Sequence, residues 1–153
     1  DEFTPSPLME WQSERALATL DIQEIPFTDT DGNCQGYAKK RQIAINPVAQ
    51  LPHKTRFHEL AHVILGHTTE ADFTDTELTP RNLREVEAEA VALLCCEALN
   101  VEGADFCRGY IQHWIRPGAG EVIPEKSAQK IFRAADQILR AGRPNGNENE
   151  TEQ

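Results

Sequence analysis

The sequence His58-Glu59-Leu60-Ala61-His62 is the most informative stretch of the chain, and it lies in a segment, residues 52–66, whose apolar residues recur at helical spacing. That segment has a proline in its first turn and a glycine near its end, which is typical of a helix. On a helix, His58 and His62 are four residues apart and lie on the same face, so their two imidazoles can bind one metal ion. Glu59 lies about 100° round the helix, from where its carboxylate can reach a water at the metal without being a ligand. The stretch therefore predicts a metal site on this helix.

A catalytic zinc site needs a third protein ligand besides the two histidines. His67 is one candidate, but five residues of helix correspond to about 500° of rotation and would carry it away from His62. We therefore expect His67 at the helix end or as a donor that lines the cleft, rather than as a ligand.

Three glutamates, Glu85, Glu87 and Glu89, alternate on the next long helix and offer the other candidates. Only Glu85 and Glu89, at i and i+4, share a helical face, and Glu87 is displaced from it by about 200°. Such a pair suits one ligand and one acceptor for the other N–H of a ligating histidine. The spacing alone leaves open which of the two is the ligand. Because the rest of this helix is unusually apolar, glutamates without partners would be costly on it.

The whole chain predicts an α+β fold. Start and stop signals predict five helices, at residues 7–20, 52–66, 80–99, 104–115 and 124–140, the first with Ser6 as its N-cap. Segments bounded by turn residues predict strands at residues 22–27, 35–38 and 42–46, which would form a small antiparallel β-meander packed on the helices. We expect one domain at residues 1–142, followed by a disordered acidic tail at 143–153.

The charge balance argues against several classes of partner. The 153 residues include 15 Lys and Arg against 25 Asp and Glu, a formal net charge of −10. A nucleic-acid-binding face or a face attracted to anionic membranes would be basic. No apolar run has the length of a membrane span, and the first residues lack the features of a signal peptide. We therefore expect a cytoplasmic domain that neither associates with membranes nor binds nucleic acid directly.

The four cysteines, Cys34, Cys95, Cys96 and Cys107, form no CxxC motif and no regular framework. A disulfide between the adjacent Cys95 and Cys96 would be strained on a helix. Reduced thiols in a cytoplasmic protein are the plain expectation. Because the first residue is not methionine, a missing N-terminal domain is a further expectation.

Three parts of the chain together resemble one known superfamily. They are IAIN at residues 43–46 with TRFHELAH at 55–62, EVEAEAVA at 85–92, and RGYIQHW at 108–114 with IFRAAD at 131–136. With these motifs the chain resembles the zincin metallopeptidase domain of the ImmA/IrrE superfamily. It is most similar to the C-terminal domain of ArdC-type plasmid antirestriction proteins.

The resemblance implies a zincin-like fold with a zinc ion held by His58, His62 and Glu85. It implies Glu59 as the general base. The family pattern Glu-x-x-Ala-Asn-x-Phe-Ala places Glu89 where the family usually has Asn or Asp, in a position that supports the ligands.

The resemblance also bears on the group that stabilises the oxyanion. The ArdC-like Gly-Tyr-Ile motif implies Tyr110 as the catalytic donor, with His113 and His67 as the alternatives. All three side chains can donate a hydrogen bond, which is what an oxyanion requires.

For function, the resemblance implies a zinc-dependent metallo-endopeptidase that hydrolyses peptide bonds of a protein substrate, from an ArdC-like antirestriction or mobile-element protein. The alternative is a non-catalytic antirestriction or regulatory module that retains a structural zinc and works through a protein or DNA partner. The presence of Glu59 favours the enzyme. ArdC-like proteins have an N-terminal single-stranded-DNA-binding domain without a visible counterpart here, so any DNA binding is expected through a missing N-terminal domain.

Overall fold

The structure, a computed structural model, describes residues 10–28, 34–68, 81–115 and 123–144. Within these ranges it has five helices and three strands, which confirms the predicted α+β class. The helices are α1 (Ser13–Leu20), α2 (Pro52–Ile64), α3 (Arg81–Leu99), α4 (Ala104–Ile115) and α5 (Glu125–Ala141). The strands are β1 (Gln23–Glu24), β2 (Gly36–Lys39) and β3 (Gln42–Ile45).

The three strands form one mixed sheet in the order β1-β3-β2. β2 and β3 are antiparallel, with Lys39 opposite Gln42, as predicted. β1 is parallel to β3, with Glu24 opposite Ile43, so the predicted meander is wrong in its strand order. The physical reason is burial: Ile43 and Ala44 are fully buried, and the polar backbone groups of such a strand need partners on both sides. The most buried strand therefore lies in the middle of the sheet.

The helix α2, which carries the two histidines, packs between the sheet and α3. Phe57, Leu60 and Val63 of α2 are buried, at the spacing that gives a helix one apolar face. On its other sides α3 packs against α4 and α5. The candidate site therefore lies on a helix that is held from two directions.

The helix α1 begins at Ser13 and not at residue 7. Residues 10–12 are not helical, and the backbone N–H of Gln12 donates to the carbonyl of Gly142 at 2.8 Å. The N–H of Gln12 thus pairs with the end of α5, whereas the prediction placed residue 12 inside the first helix. The predicted N-cap Ser6 lies outside the described residues.

The other helices agree with the predicted bounds to within two residues. α3 stops before Asn100, which has a φ of 55°, the left-handed conformation that asparagine tolerates at a helix end. The predicted acidic tail, apart from residues 143 and 144, lies outside the described residues.

Within the described residues none of the four cysteines forms a disulfide, and Cys95, Cys96 and Cys107 are buried, in agreement with the expected thiols. Among the described residues, no helix combines the length and the apolar character needed to cross a membrane.

Candidate metal centre

Two histidines of α2 and one glutamate of α3 bring three ligand atoms together. His58 Nε2 and His62 Nε2 lie 3.1 Å apart, because residues four apart on a helix stand one above the other. Oxygens of Glu85 lie 3.2 Å from His58 Nε2 and 3.3 Å from His62 Nε2. One ligand atom from each residue lies within 4.8 Å of the other two. Two imidazole nitrogens and one carboxylate oxygen are a donor set of catalytic zinc sites, so these residues fit that metal.

The charges in this group favour a cation. Hydrogen bonds from His58 and then His62 hold the pKa of Glu85 far below its usual range, against the opposing effect of burial. Burial lowers the pKa of His58, but the hydrogen bonds to Glu85 and Glu89 outweigh it and raise this pKa to about 9. The carboxylates of α3 therefore stabilise positive charge at the face of α2.

Glu89 contacts the first histidine on the side away from Glu85. The Nδ1–H of His58 donates to Glu89 Oε1 at 2.6 Å, and Lys54 Nζ lies 3.2 Å from Glu89 Oε2. Glu85 thus faces both Nε2 atoms, whereas Glu89 faces Nδ1 of His58. The i and i+4 spacing predicted such a division between one ligand and one supporting acceptor.

Glu59 borders the same group but is not one of the three donors. It is 7% exposed, and burial raises its pKa, an effect that the charges of His58 and His62 oppose. Gly36 of β2 approaches it closely, since a Cβ atom at this glycine would stand 3.5 Å from Glu59 Cγ. A buried carboxylate with a raised pKa beside the donor atoms suits proton transfer.

A cleft of about 440 Å³ lies in front of these side chains. The strand β2 forms one wall, with Tyr37 on it, and α2 with the first turn of α3 forms the other. Arg84 also lines the cleft. Sequence reasoning missed Tyr37 and Arg84 because neither belongs to a motif with ligand spacing. The position of Arg84 next to Glu85 was the available signal.

The three predicted oxyanion donors lie in different places. Tyr110 and His113 are exposed residues of α4, and neither lines the cleft in the described part of the chain. Burial, and then the negative charges of Glu85 and Glu89, raise the pKa of Tyr110. Of the three, His67 lines the cleft.

His67 lies beside His62, although helical periodicity predicted that it would point away. α2 ends at Ile64, and Gly66 has a φ of 82°. The N–H of Gly66 donates to the carbonyl of Val63, and the N–H of His67 donates to the carbonyl of His62, which together form a Schellman motif. This turn folds the chain back, so His67 Nδ1 lies 2.9 Å from His62 Nδ1. The glycine near the predicted helix end was the signal for this turn.

Glu87 also belongs to this region, although the spacing displaced it from the face of Glu85. It is 1% exposed, and its Oε1 accepts from His67 Nε2 at 2.9 Å. Ser127 Oγ donates to its Oε2 at 2.6 Å. Burial raises the pKa of Glu87, but the hydrogen bonds from His67 and Ser127 outweigh it and lower this pKa below its usual value. Because the turn after α2 carries His67 away from the axis of that helix, the carboxylate of Glu87, on a different face of α3 from Glu85, can contact it.

The comparisons with known proteins agree with this geometry. The family model of the IrrE N-terminal-like domain, peptidase family M78, matches residues 18–100, more than half of the chain. No curated protein and no solved structure matches the chain. The matched range contains the whole of α2 and α3, and it confirms the predicted resemblance to the ImmA/IrrE domain. The similarity to ArdC-type proteins stays a prediction. The chain therefore belongs to the peptidase M78 family of IrrE N-terminal-like domains, and it contains a metallopeptidase-like domain.

Proposed function

We propose that the domain is a zinc-dependent metallo-endopeptidase that hydrolyses peptide bonds of a protein substrate. The observation that carries this proposal is the convergence of ligand atoms from His58, His62 and Glu85 within 4.8 Å, beside the buried carboxylate of Glu59. Zinc held by the three residues would polarise the scissile carbonyl and acidify a water molecule.

Glu59 is the proposed general base. Its carboxylate would accept the proton of the attacking water and then pass it to the leaving amine. Burial raises its pKa, which brings a carboxylate closer to the range in which it can both accept and release a proton at neutral pH.

The shape of the cleft favours an extended peptide as substrate. β2 is at the edge of the sheet, and within the described residues its outer side pairs with no strand. An extended segment of a substrate could add to this edge through backbone hydrogen bonds. The segment would then run along the cleft wall past Glu59.

For the oxyanion donor we propose Tyr110. The support is the motif at residues 108–114, together with burial and then the negative charges of Glu85 and Glu89, which raise the pKa of its hydroxyl. Arg84 is the competitor on structural grounds, because it lines the cleft and its buried Nε has no hydrogen-bond partner within the described residues.

We also propose a cytoplasmic, ArdC-like antirestriction or mobile-element origin for the domain, which we place at residues 1–142. The motif at residues 108–114 supports the origin. Four cysteines that form no disulfide within the described residues, three of them buried, support a reducing compartment.

The experiment that tests the function compares the zinc-loaded parent with Glu59→Gln on a library of peptides from a digested proteome, read by mass spectrometry. The parent should cleave, and Glu59→Gln should keep its zinc while the cleavage rate falls about 100-fold to 10,000-fold. Glu125→Gln, an exposed glutamate on α5, is the matched control and should cleave like the parent.

Two outcomes would contradict the proposal. Equal cleavage by Glu59→Gln would remove Glu59 from the reaction, and zinc binding without any cleavage by the parent would favour a non-catalytic module.

In the same assay Tyr110→Phe should lower kcat about 100-fold. If Arg84→Gln lowers kcat while Tyr110→Phe does not, the donor role belongs to Arg84.

A further inference from the structure

The second histidine of α2 has a contact on the side away from the candidate metal centre. His62 Nε2 faces Glu85, and His62 Nδ1 lies 2.9 Å from His67 Nδ1. On its other side, His67 Nε2 lies 2.9 Å from Glu87 Oε1. A series of hydrogen-bonded side chains therefore leads from His62 through His67 to a carboxylate of α3.

The carboxylate at the end of this series sets the direction of every hydrogen bond in it. A carboxylate can only accept, so the proton of neutral His67 is on Nε2 and donates to Glu87. His67 Nδ1 is then an acceptor, and the proton of His62 must be on Nδ1. His62 Nε2 is left with its lone pair directed at Glu85 and His58, which is the form that binds a metal ion.

The carboxylate of Glu87, at which this series of hydrogen bonds ends, lies in the core. Glu87 is 1% exposed and the side chain of His67 is 6% exposed. Ser127 Oγ donates to Glu87 at 2.6 Å, and Lys130 Nζ lies 3.7 Å from the same oxygen. Both groups belong to α5, so this carboxylate of α3 is held by α5 and by the turn after α2.

The two histidines of α2 thus receive the same kind of support by different routes. His58 donates directly to the carboxylate of Glu89, whereas His62 reaches the carboxylate of Glu87 through His67. Acceptors of this kind fix the tautomer and the ring orientation of a ligating histidine and raise its basicity.

We propose that His67 and Glu87 are positioning residues that hold the ring of His62 with its Nε2 lone pair toward the metal. The inference rests on the proposed function, because it presupposes a metal at His62. It assigns a purpose to a buried imidazole and a buried carboxylate that would otherwise be costly to keep in the core.

The test measures metal binding directly, with Co²⁺ titrated into the metal-free full chain and followed by its visible absorption bands, which report the geometry of its ligands. His67→Leu removes the acceptor for His62 and should weaken Co²⁺ binding about 10-fold to 100-fold and alter the bands. His67→Gln is similar in size but offers an amide oxygen to His62 Nδ1, so it should recover most of the affinity. His53→Leu, an exposed histidine of the same helix, is the matched control and should behave like the parent.

A double-mutant cycle of His67→Leu and Glu87→Gln tests whether the two residues act through the same series of hydrogen bonds. Glu87→Gln should weaken Co²⁺ binding in the parent and have no further effect in His67→Leu, where the hydrogen bonds between His62 and Glu87 are already interrupted. Thermal unfolding of each metal-free variant separates a loss of folding from a loss of positioning. Should His67→Leu fail to fold, the comparison of Glu87→Gln with the parent decides.

The outcomes separate this inference from the proposed function. Parent-like affinity and bands in His67→Leu, equal losses in His67→Leu and His67→Gln, or additive losses in the cycle would overturn the positioning role. Failure of both the parent and His53→Leu to bind Co²⁺ would instead overturn the proposed metal site.

Discussion

Glu85, Glu87 and Glu89 occupy alternate positions of α3, and each contacts a different part of the histidine group. Glu85 faces Nε2 of both His58 and His62, Glu89 faces Nδ1 of His58, and Glu87 faces His67. All three glutamates are therefore paired, and Glu87 and Glu89 are also buried.

At the residue scale, the third ligand can be tested by zinc content after dialysis. Glu85→Ala should lose most of its zinc, because it removes the oxygen that faces both imidazoles. Glu89→Ala should keep a zinc ion but bind it about 10-fold to 100-fold more weakly, as expected for a supporting residue. Glu97→Ala, an exposed glutamate of the same helix, serves as the control. Equal loss of zinc from Glu85→Ala and Glu89→Ala would contradict the assignment.

Sequence reasoning brought His58, His62, Glu85 and Glu89 together because each pair lies four residues apart on one helix, and that spacing is a local property. His67 lies at the helix end and lines the cleft, as expected. Its predicted direction away from His62 was wrong, because α2 ends at Ile64 and a turn brings the two side chains together. Contacts between a turn and a distant helix depend on packing, which local periodicity does not report.

At the scale of elements, β2 and α2 approach each other through Gly36. A Cβ atom at this position would stand 2.8 Å from the carbonyl oxygen of Ala44 and 2.9 Å from Thr55 Cγ2. Both neighbours belong to packed elements, and the carbonyl is backbone, so neither can move freely. The close approach lets β2 form the cleft wall next to Glu59.

Gly36→Ala should therefore lower the free energy of unfolding by about 1–3 kcal/mol, the usual cost of overpacking. It should also reduce cleavage, because β2 must shift away from α2. Denaturant unfolding measures the first effect and the peptide assay the second. Gly109→Ala is the control: a Cβ atom there meets nothing within 4 Å, and alanine in a helix should stabilise by about 0.5–1 kcal/mol. A Gly36→Ala protein as stable as the parent would show that the approach is not tight.

The order of the strands was not predictable in the same way as the helices. The motifs and turn residues indicated where each strand lies. Which strand occupies the middle depends on the burial of Ile43 and Ala44 under α2, a long-range property.

At the scale of the whole molecule, Trp11 joins the first described segment to the far end of the chain. Its Nε1–H donates to the carbonyl of Ile138 at 2.9 Å. Its ring packs edge-on against Phe57 of α2 at 4.8 Å and lies so close to Gly142 that a Cβ atom there would clash with it. Trp11 thus links the residue before His58 to the C-terminal end of the described chain.

Trp11→Ala should lower the free energy of unfolding by about 3 kcal/mol, since it removes a large aromatic contact. Trp11→Phe keeps much of that contact and loses the hydrogen bond, so about 1 kcal/mol is expected. Phe132→Ala, an aromatic residue of α5 that is 64% exposed, should change stability by less than about 0.5 kcal/mol. Chemical denaturation of the metal-free proteins measures all three. Equal effects of Trp11→Ala and Phe132→Ala would contradict this role of Trp11.

A metal ion held by His58, His62 and Glu85 would tie together residues as far as 27 positions apart. An ion that binds only the folded chain adds RT ln(1 + [ion]/Kd) to the free energy of unfolding. The proposed centre would thus act as a reversible cross-link between α2 and α3. A chelator would therefore abolish catalysis and lower the free energy of unfolding at the same time.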